Sequence, residues 1–453
     1  MNNVKECEPL MPLLNSNSST LRRLAGNKAQ TPIRKTLLAI AIGCVPIVGS
    51  ASPWLEANDA FLRSSLLLLS DSGQLASPVN HYPMRWSLFA DDLNNTSQRD
   101  DVSIANRELS YALNSARLNR GNRLFKLLSG SNAAPSSGFG QFNEDQKGVY
   151  SSFEQLNNSY AFRLSAGYSE YQDDTKINWD DSYLALNSGA WLWSIGNLDR
   201  WWGQGWQHNL ILGSYAKAAP DMSISYLGQN KTLGVWSAES LLSKPKESDV
   251  DYHSATRLVA KPLKYFEYGL TYQTWFADST SNQSSSRDEQ LALDAKLTLP
   301  SIEHFYHSVY AEAASTAKTT ELGAWMLGWT GAFPWGENTV RIVLETQDSS
   351  SAHDDTSWSV GSYPSTTDKV ANTTYTLDDS ASVAVYLQLK NDHTLGVSHQ
   401  RSTLDDEKIS LSQLTYRLPA LAGMVHLGAS YEQHKGASND NQATLWSGYE
   451  FRF

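Results

Sequence analysis

The stretch Arg200-Trp201-Trp202-Gly203-Gln204-Gly205-Trp206 concentrates side chains that recognise sugars. Indole faces stack on the apolar face of a pyranose, while guanidinium and amide groups hydrogen-bond hydroxyls or carboxylates. A second local feature is Gly138-Phe139-Gly140-Gln141. Arg200, Trp201, Trp202, Gln204, Trp206 and Gln141 are therefore the candidate ligand-binding residues. The plainer reading of the same residues is a packed plug, with tryptophans filling space and glycines allowing tight turns. Residue type alone leaves both open.

Catalytic groupings are missing from the sequence. His304 and His307 are three apart on an alternating stretch, so they point to opposite faces and cannot clamp one metal. Gly-x-Ser-x-Gly does not occur. Acidic pairs such as Asp180-Asp181 and Asp378-Asp379 fall mostly in polar loops. There, solvated aspartates are a plainer reading than calcium ligands. The expectation is a protein that is not an enzyme and uses no metal or cofactor.

The elements that must position the tryptophan-rich stretch alternate with period two. Tyr160, Phe162, Leu164, Ala166 and Tyr168 interleave with Ala161, Arg163, Ser165 and Gly167, and comparable runs recur at 266–273, 291–299 and 425–432. The last ten residues do the same: Leu445, Tyr449, Phe451 and Phe453 share one parity. A bare aromatic edge strand invites aggregation in water. In a membrane barrel the last strand pairs with the first and leaves no edge. Connections alternate between short, often proline-marked turns (261–263, 299–301, 333–336, 418–420) and longer polar loops (243–251, 278–288, 348–380, 433–442). Short periplasmic turns and long extracellular loops are the topology of a bacterial barrel.

Ahead of that region the periodicity is helical. Residues 60–69 place Phe61, Leu62, Leu66 and Leu69 at helical spacing behind a candidate N-cap, Asp59, with Gly73 just beyond the end. A short helix is expected near Ser87, and a third from Asp100 or Asp101 through Leu124 and Leu127 to Gly130. The expected organisation is a signal peptide over 1–51, a helical segment over 52–131, a linker over 132–147 and a barrel over 148–453. The fold class is an all-β transmembrane barrel of about 18 antiparallel strands, with a small N-terminal periplasmic α-helical bundle or plug.

Composition agrees. Only 18% of the 453 residues are charged, against 15 tryptophans and 21 tyrosines, and no apolar run is long enough for a spanning helix. Removing a basic leader takes the net charge from −11 to about −15, a balance that excludes general nucleic-acid binding. Both cysteines, Cys7 and Cys44, lie in the leader, so no disulfide scaffold or thiolate metal site is expected in the mature chain.

Phe61-Leu62-Arg63 through Ser70-Asp71-Ser72-Gly73, then Gly138-Phe139-Gly140-Gln141, then Arg200-Trp201-Trp202-Gly203-Gln204-Gly205 together resemble the pattern of the Wzi family. These are outer-membrane proteins associated with capsule assembly. The resemblance implies an 18-stranded barrel with a periplasmic helical bundle and a lumen blocked to free diffusion. It also implies a lectin-like role, holding capsular or extracellular polysaccharide at the cell surface. The partners that follow are that polysaccharide, outer-membrane lipid and lipopolysaccharide, and the polysaccharide export machinery, around a monomeric barrel. The competing function is a porin or transport channel for sugars or other small solutes, which needs an open, charge-lined lumen.

Overall fold

The structure is a computed structural model, and it describes residues 53–95, 100–116, 121–134, 138–142, 145–157, 159–171, 174–207, 209–212, 219–244, 251–276, 288–316, 318–349, 378–404, 407–436 and 441–453. The expected signal peptide lies outside these residues, as does most of the long loop 348–380.

Antiparallel strands close into a barrel that begins with Asn122–Gly130 and ends with Asn441–Arg452. The seam joins these two strands, pairing Leu124 with Arg452 and Gly130 with Trp446. Beyond it, Phe453 and Arg123 exchange backbone hydrogen bonds of 3.0 and 3.2 Å. The aromatic terminal strand is thus one half of the closure, as its alternation implied. Asp174–Asn178 and Tyr183–Ser188 pair with successive parts of the same strand, Tyr160–Tyr171. They share one position, interrupted by a bulge in which Asp181 has φ 65°. Counted so, the wall has 18 strand positions.

The outward parity carries Leu164, Leu186, Ile195, Met222, Leu293, Leu327, Leu414 and Leu445, all exposed. In water so wide an apolar surface would drive association, whereas facing lipid it is satisfied. Aromatic residues collect at both rims. Trp191, Trp335 and Phe453 lie at the short-turn end, and Tyr168 and Tyr431 towards the long-loop end. No helix among the described residues is long and apolar enough to cross a membrane.

Helix α1 (Ala60–Asp71) forms as the sequence predicts. Asp59 Oδ1 accepts from Phe61 N at 2.8 Å and Leu62 N at 3.1 Å, and the chain turns away at Gly73 (φ 74°). Eleven of its twelve residues are buried, because the helix lies inside the barrel towards the short-turn end rather than beneath it. Inward side chains of five wall strands hold it: Lys261 to Ser70, Lys296 to Asp71, Arg341 to Ser64, Gln388 to Phe61, and Arg417 to Asp59. Helix α2 (Ala90–Asn95) follows a short turn over Trp86–Leu88, and α3 (Ser103–Ala116) packs on α1 through Ala105, Leu109 and Leu113.

Two boundaries differ from expectation. The third helix does not reach Gly130; after Gly121 (φ 76°) residues Asn122–Gly130 form the first barrel strand. The barrel accordingly starts at Asn122 rather than 148, and 132–147 lies between the first two barrel strands instead of linking domains. Leu124 and Leu127 fit a helical spacing locally, but the last strand needs a partner, and that tertiary demand prevails.

Candidate functional site

Between strands Trp191–Gly196 and Asp221–Asn230 the chain leaves the wall at the long-loop end and enters the lumen. Trp201 and Trp202 pair antiparallel with Tyr82 and His81, a two-residue ladder between the insertion and the N-terminal segment. The insertion then folds back on itself. Trp202 N donates to Leu212 O at 2.7 Å, and Asn209 Oδ1 accepts from Ile211 N and Leu212 N.

The turn between them is held by carboxylates of the wall. One oxygen of Glu312 accepts from the backbone N–H of Gln204 and Gly205, at 2.5 and 3.0 Å, and the other from Leu210 at 3.0 Å. Glu345 accepts from Trp206 N and from Gln207 N, the latter at 2.7 Å. Buried backbone donors need partners, and a carboxylate that takes two or three of them is fixed in turn. A Cβ on Gly203 would lie 2.3 Å from Glu312 Oε1, which is why the Trp-Trp pair is followed by glycine.

Arg63 of α1 closes the arrangement from below. It donates from Nη1 to Gly205 O at 2.7 Å and from Nη2 to Gln204 O at 2.8 Å. Its guanidinium lies 4.3 Å from the Phe139 ring centre and 4.7 Å from that of Trp206. Burial lowers its pKa from the usual value, against the opposing pull of Tyr82, Tyr310, Glu345 and Tyr386. Phe139 arrives on the loop between the first two barrel strands, with Phe139 N donating to Trp206 O at 2.6 Å. A Cβ on Gly138 would fall 1.9 Å from that same carbonyl, so only glycine admits the approach. The three stretches singled out in the sequence therefore meet around one cation.

The candidate residues fall into distinct surroundings. Trp201, Trp202 and Trp206 are 0% exposed and Gln204 is 4% exposed, its amide donating to Asp294 at 3.1 Å. Arg200 sits apart at the wall. Asp221 accepts from both its Nη atoms, at 2.6 and 2.9 Å, and Glu239 lies 3.4 Å away. Burial opposes the Arg200 charge, but these two carboxylates together raise its pKa. Gln141 is half-buried on the inward loop, one residue past Gly140, whose backbone abuts Ala60. Residue types had not singled out Glu312, Glu345 or Asp294. The available signal was a carboxylate at inward parity between lipid-facing residues, as in Ala311-Glu312-Ala313. The two histidines part company: His304 lies 3.3 Å from Asp101, whereas His307 contacts Pro300 O at 3.1 Å. Among the described residues no group of His, Cys, Asp and Glu could hold a metal ion.

Comparison with known proteins adds the following. Residues 117–287 match the family model described as capsule assembly protein Wzi. None of the curated proteins matches the chain. Among solved structures, the chain is similar to Wzi of Escherichia coli, described as an outer membrane protein involved in group 1 capsule assembly and a carbohydrate-binding β-barrel. That match has a TM-score of 0.73 at 16% identity, over 90% of this chain and 100% of that one. At such identity it establishes the fold, an 18-stranded antiparallel closed β-barrel with N-terminal helices. OprD of Pseudomonas aeruginosa (TM-score 0.48, 8% identity, 74% of this chain and 94% of that one) and OccAB1 of Acinetobacter baumannii (0.45, 8%, 74% and 96%) are more distant, and carry no argument here.

Proposed function

We propose, from the premise that this chain belongs to the capsule assembly protein Wzi family, that it is a non-enzymatic outer-membrane barrel that binds capsular or extracellular polysaccharide at the cell surface and assists capsule assembly. The observation that carries the reading is the plug. A solute channel needs a water-filled passage, and here α1 and the tryptophan-rich insertion fill the lumen against the wall. Arg200, Trp201, Trp202, Gln204 and Trp206 serve as that plug. Their rings and planar groups have no free face, so glycan is met on surfaces nearer the long-loop end. Gln141 belongs to the same internal support. The barrel works as a monomer among outer-membrane lipid and lipopolysaccharide, receiving polymer from the export machinery.

Cells lacking the chain should make the same total polymer but shed it into the medium, and the purified barrel should give no steady single-channel conductance. Large stable conductance with polymer retention unaffected by deletion would overturn the reading in favour of a channel.

A further inference from the structure

Resting on the function just proposed, we infer that the last four strands carry a glycan subsite inside the barrel. It takes neutral pyranose units, with Trp446 as the stacking platform and Thr415, Gln413, Ser430 and Gln400 as the hydrogen-bonding groups. These strands are Thr394–Leu404, Glu407–Ala420, Gly423–Lys435 and Asn441–Arg452.

Register aligns the residues in rows across the wall. Gly396, Thr415, Gly428 and Trp446 stand opposite one another, and Ser398, Gln413, Ser430 and Thr444 form the next row towards the long-loop end. Thr415 faces inward, as Arg417 does, and is exposed; Gln400, Gln413, Ser430 and Trp446 are half-buried. A Cβ on Gly428 would meet the Trp446 indole at 2.1 Å, so the ring lies over bare backbone. Phe142 is near-parallel to it, tilted 13° with centres 5.6 Å apart, and abuts the ring. With neighbouring strands about 4.8 Å apart, Thr415 and Trp446 are separated by about 10 Å, the scale of a disaccharide.

Most of the hydrogen-bonding capacity is unspent; the Thr415 hydroxyl makes one long bond, donating to Gly396 O at 3.5 Å. Among the described residues, the Ser430 hydroxyl, the Gln400 amide and the Gln413 amide nitrogen have no side-chain or backbone partner. The Gln413 oxygen has only the Ser398 hydroxyl, at 3.5 Å. Hydroxyl and amide groups fanned beside an aromatic face are what a sugar ring needs. The trough is blind. Arg417 bound to Asp59 at 2.7 Å and Phe142 stacked on His426 at 3.8 Å floor it towards the short-turn end. Charge there is spent internally as well: Arg417 is paired with Asp59, and Glu432 lies 3.0 Å from His434. With no free cation facing the trough among the described residues, neutral sugars fit it better than uronates.

The test is calorimetry on the detergent-purified full chain. The probes are short oligosaccharides cut from the capsule of the bacterium that makes it, with oligogalacturonate as the acidic control. Trp446→Ala should weaken capsular oligosaccharide binding about tenfold, and Thr415→Trp, a filler at an exposed position, should abolish it. Heat-modifiable gel migration reports folding, and if Trp446→Ala fails that check, Thr415→Trp decides. Wild-type affinity in the folded variants would overturn the subsite and leave the barrel's glycan role standing. An unresponsive wild type would instead overturn the proposed function, and the subsite with it. Tight oligogalacturonate binding lost in Thr415→Trp would overturn the neutral assignment.

Discussion

The two sides of the lumen are built differently. From Gly234–Ser243 round to Asp379–Gln388, inward side chains are almost all buried: Arg257, Glu267, Thr271, Gln290 and Arg341 are 0% exposed. They grip α1, the 79–82 segment and the insertion. Along the last four strands several inward polar residues, among them Ser398, Gln400, Gln413 and Ser430, are only half-buried, and Thr415 is exposed. One wall is therefore bound to a plug by charges that must not be left unpaired, while the other keeps donors and acceptors free. A barrel that only needed closing would be filled evenly, and one that only needed conducting would not be filled at all. The asymmetry suits a protein that is shut yet has an inner surface to offer.

Substitutions can break that contrast, and the largest effect is expected on the gripped side. Arg63→Ala strands two buried carbonyls and opens a void between Phe139 and Trp206, which should destabilise the plug by about 3 kcal/mol. Raised conductance and antibiotic leakage, with the barrel itself still heat-modifiable, would show it; unchanged conductance would deny Arg63 its role. Gly138→Ala pushes a methyl group into Trp206 O and should cost about 2 kcal/mol, seen as faster hydrogen exchange at 201–206 with little leakage.

A smaller effect is expected at Glu108 on α3, which bonds Ser65 and Gln388. Burial raises its pKa from 4.5 to about 7. A carboxyl whose folded pKa lies above the unfolded one contributes stability that is complete below about pH 4.5 and is lost as pH rises through 7. Exchange protection of α3 should therefore fall between about pH 4.5 and 7, the interval from the unfolded to the folded value, and Glu108→Gln should flatten the profile. The smallest effect belongs to the open side, where Ser430→Ala should change stability by less than about 0.5 kcal/mol. A larger loss in thermal unfolding would mean that this side too is structurally committed.

The wall was legible because lipid on one face and a polar interior on the other impose strict alternation, and outward Leu164 and Tyr168 opposite inward Arg163 show it directly. The first strand escaped notice because nine residues carry too few alternations to outvote two leucines at helical spacing, and its partner lies at the far end of the chain. The plug motifs stood out by composition, yet whether a tryptophan offers its face or buries it depends on neighbours contributed by other strands. Glu312 and Glu345, which decide that question for Trp206 and its turn, look like any other inward polar residue. Gln413 and Ser430 were silent for the opposite reason: their significance is the hydrogen-bonding capacity they leave unspent.

Asp59 joins the two sides, since one oxygen caps α1 while the other holds Arg417, 358 positions along the chain. Contacts of that span make folding slow, because most of the loop entropy is lost before they form. The same carboxylate thus starts the earliest local structure and waits for one of the last strands to arrive. In the interval the lipid-facing strands have no lipid to face. Until the seam closes, that apolar face is open to water, so the newly made chain should be at the most vulnerable stage of its existence.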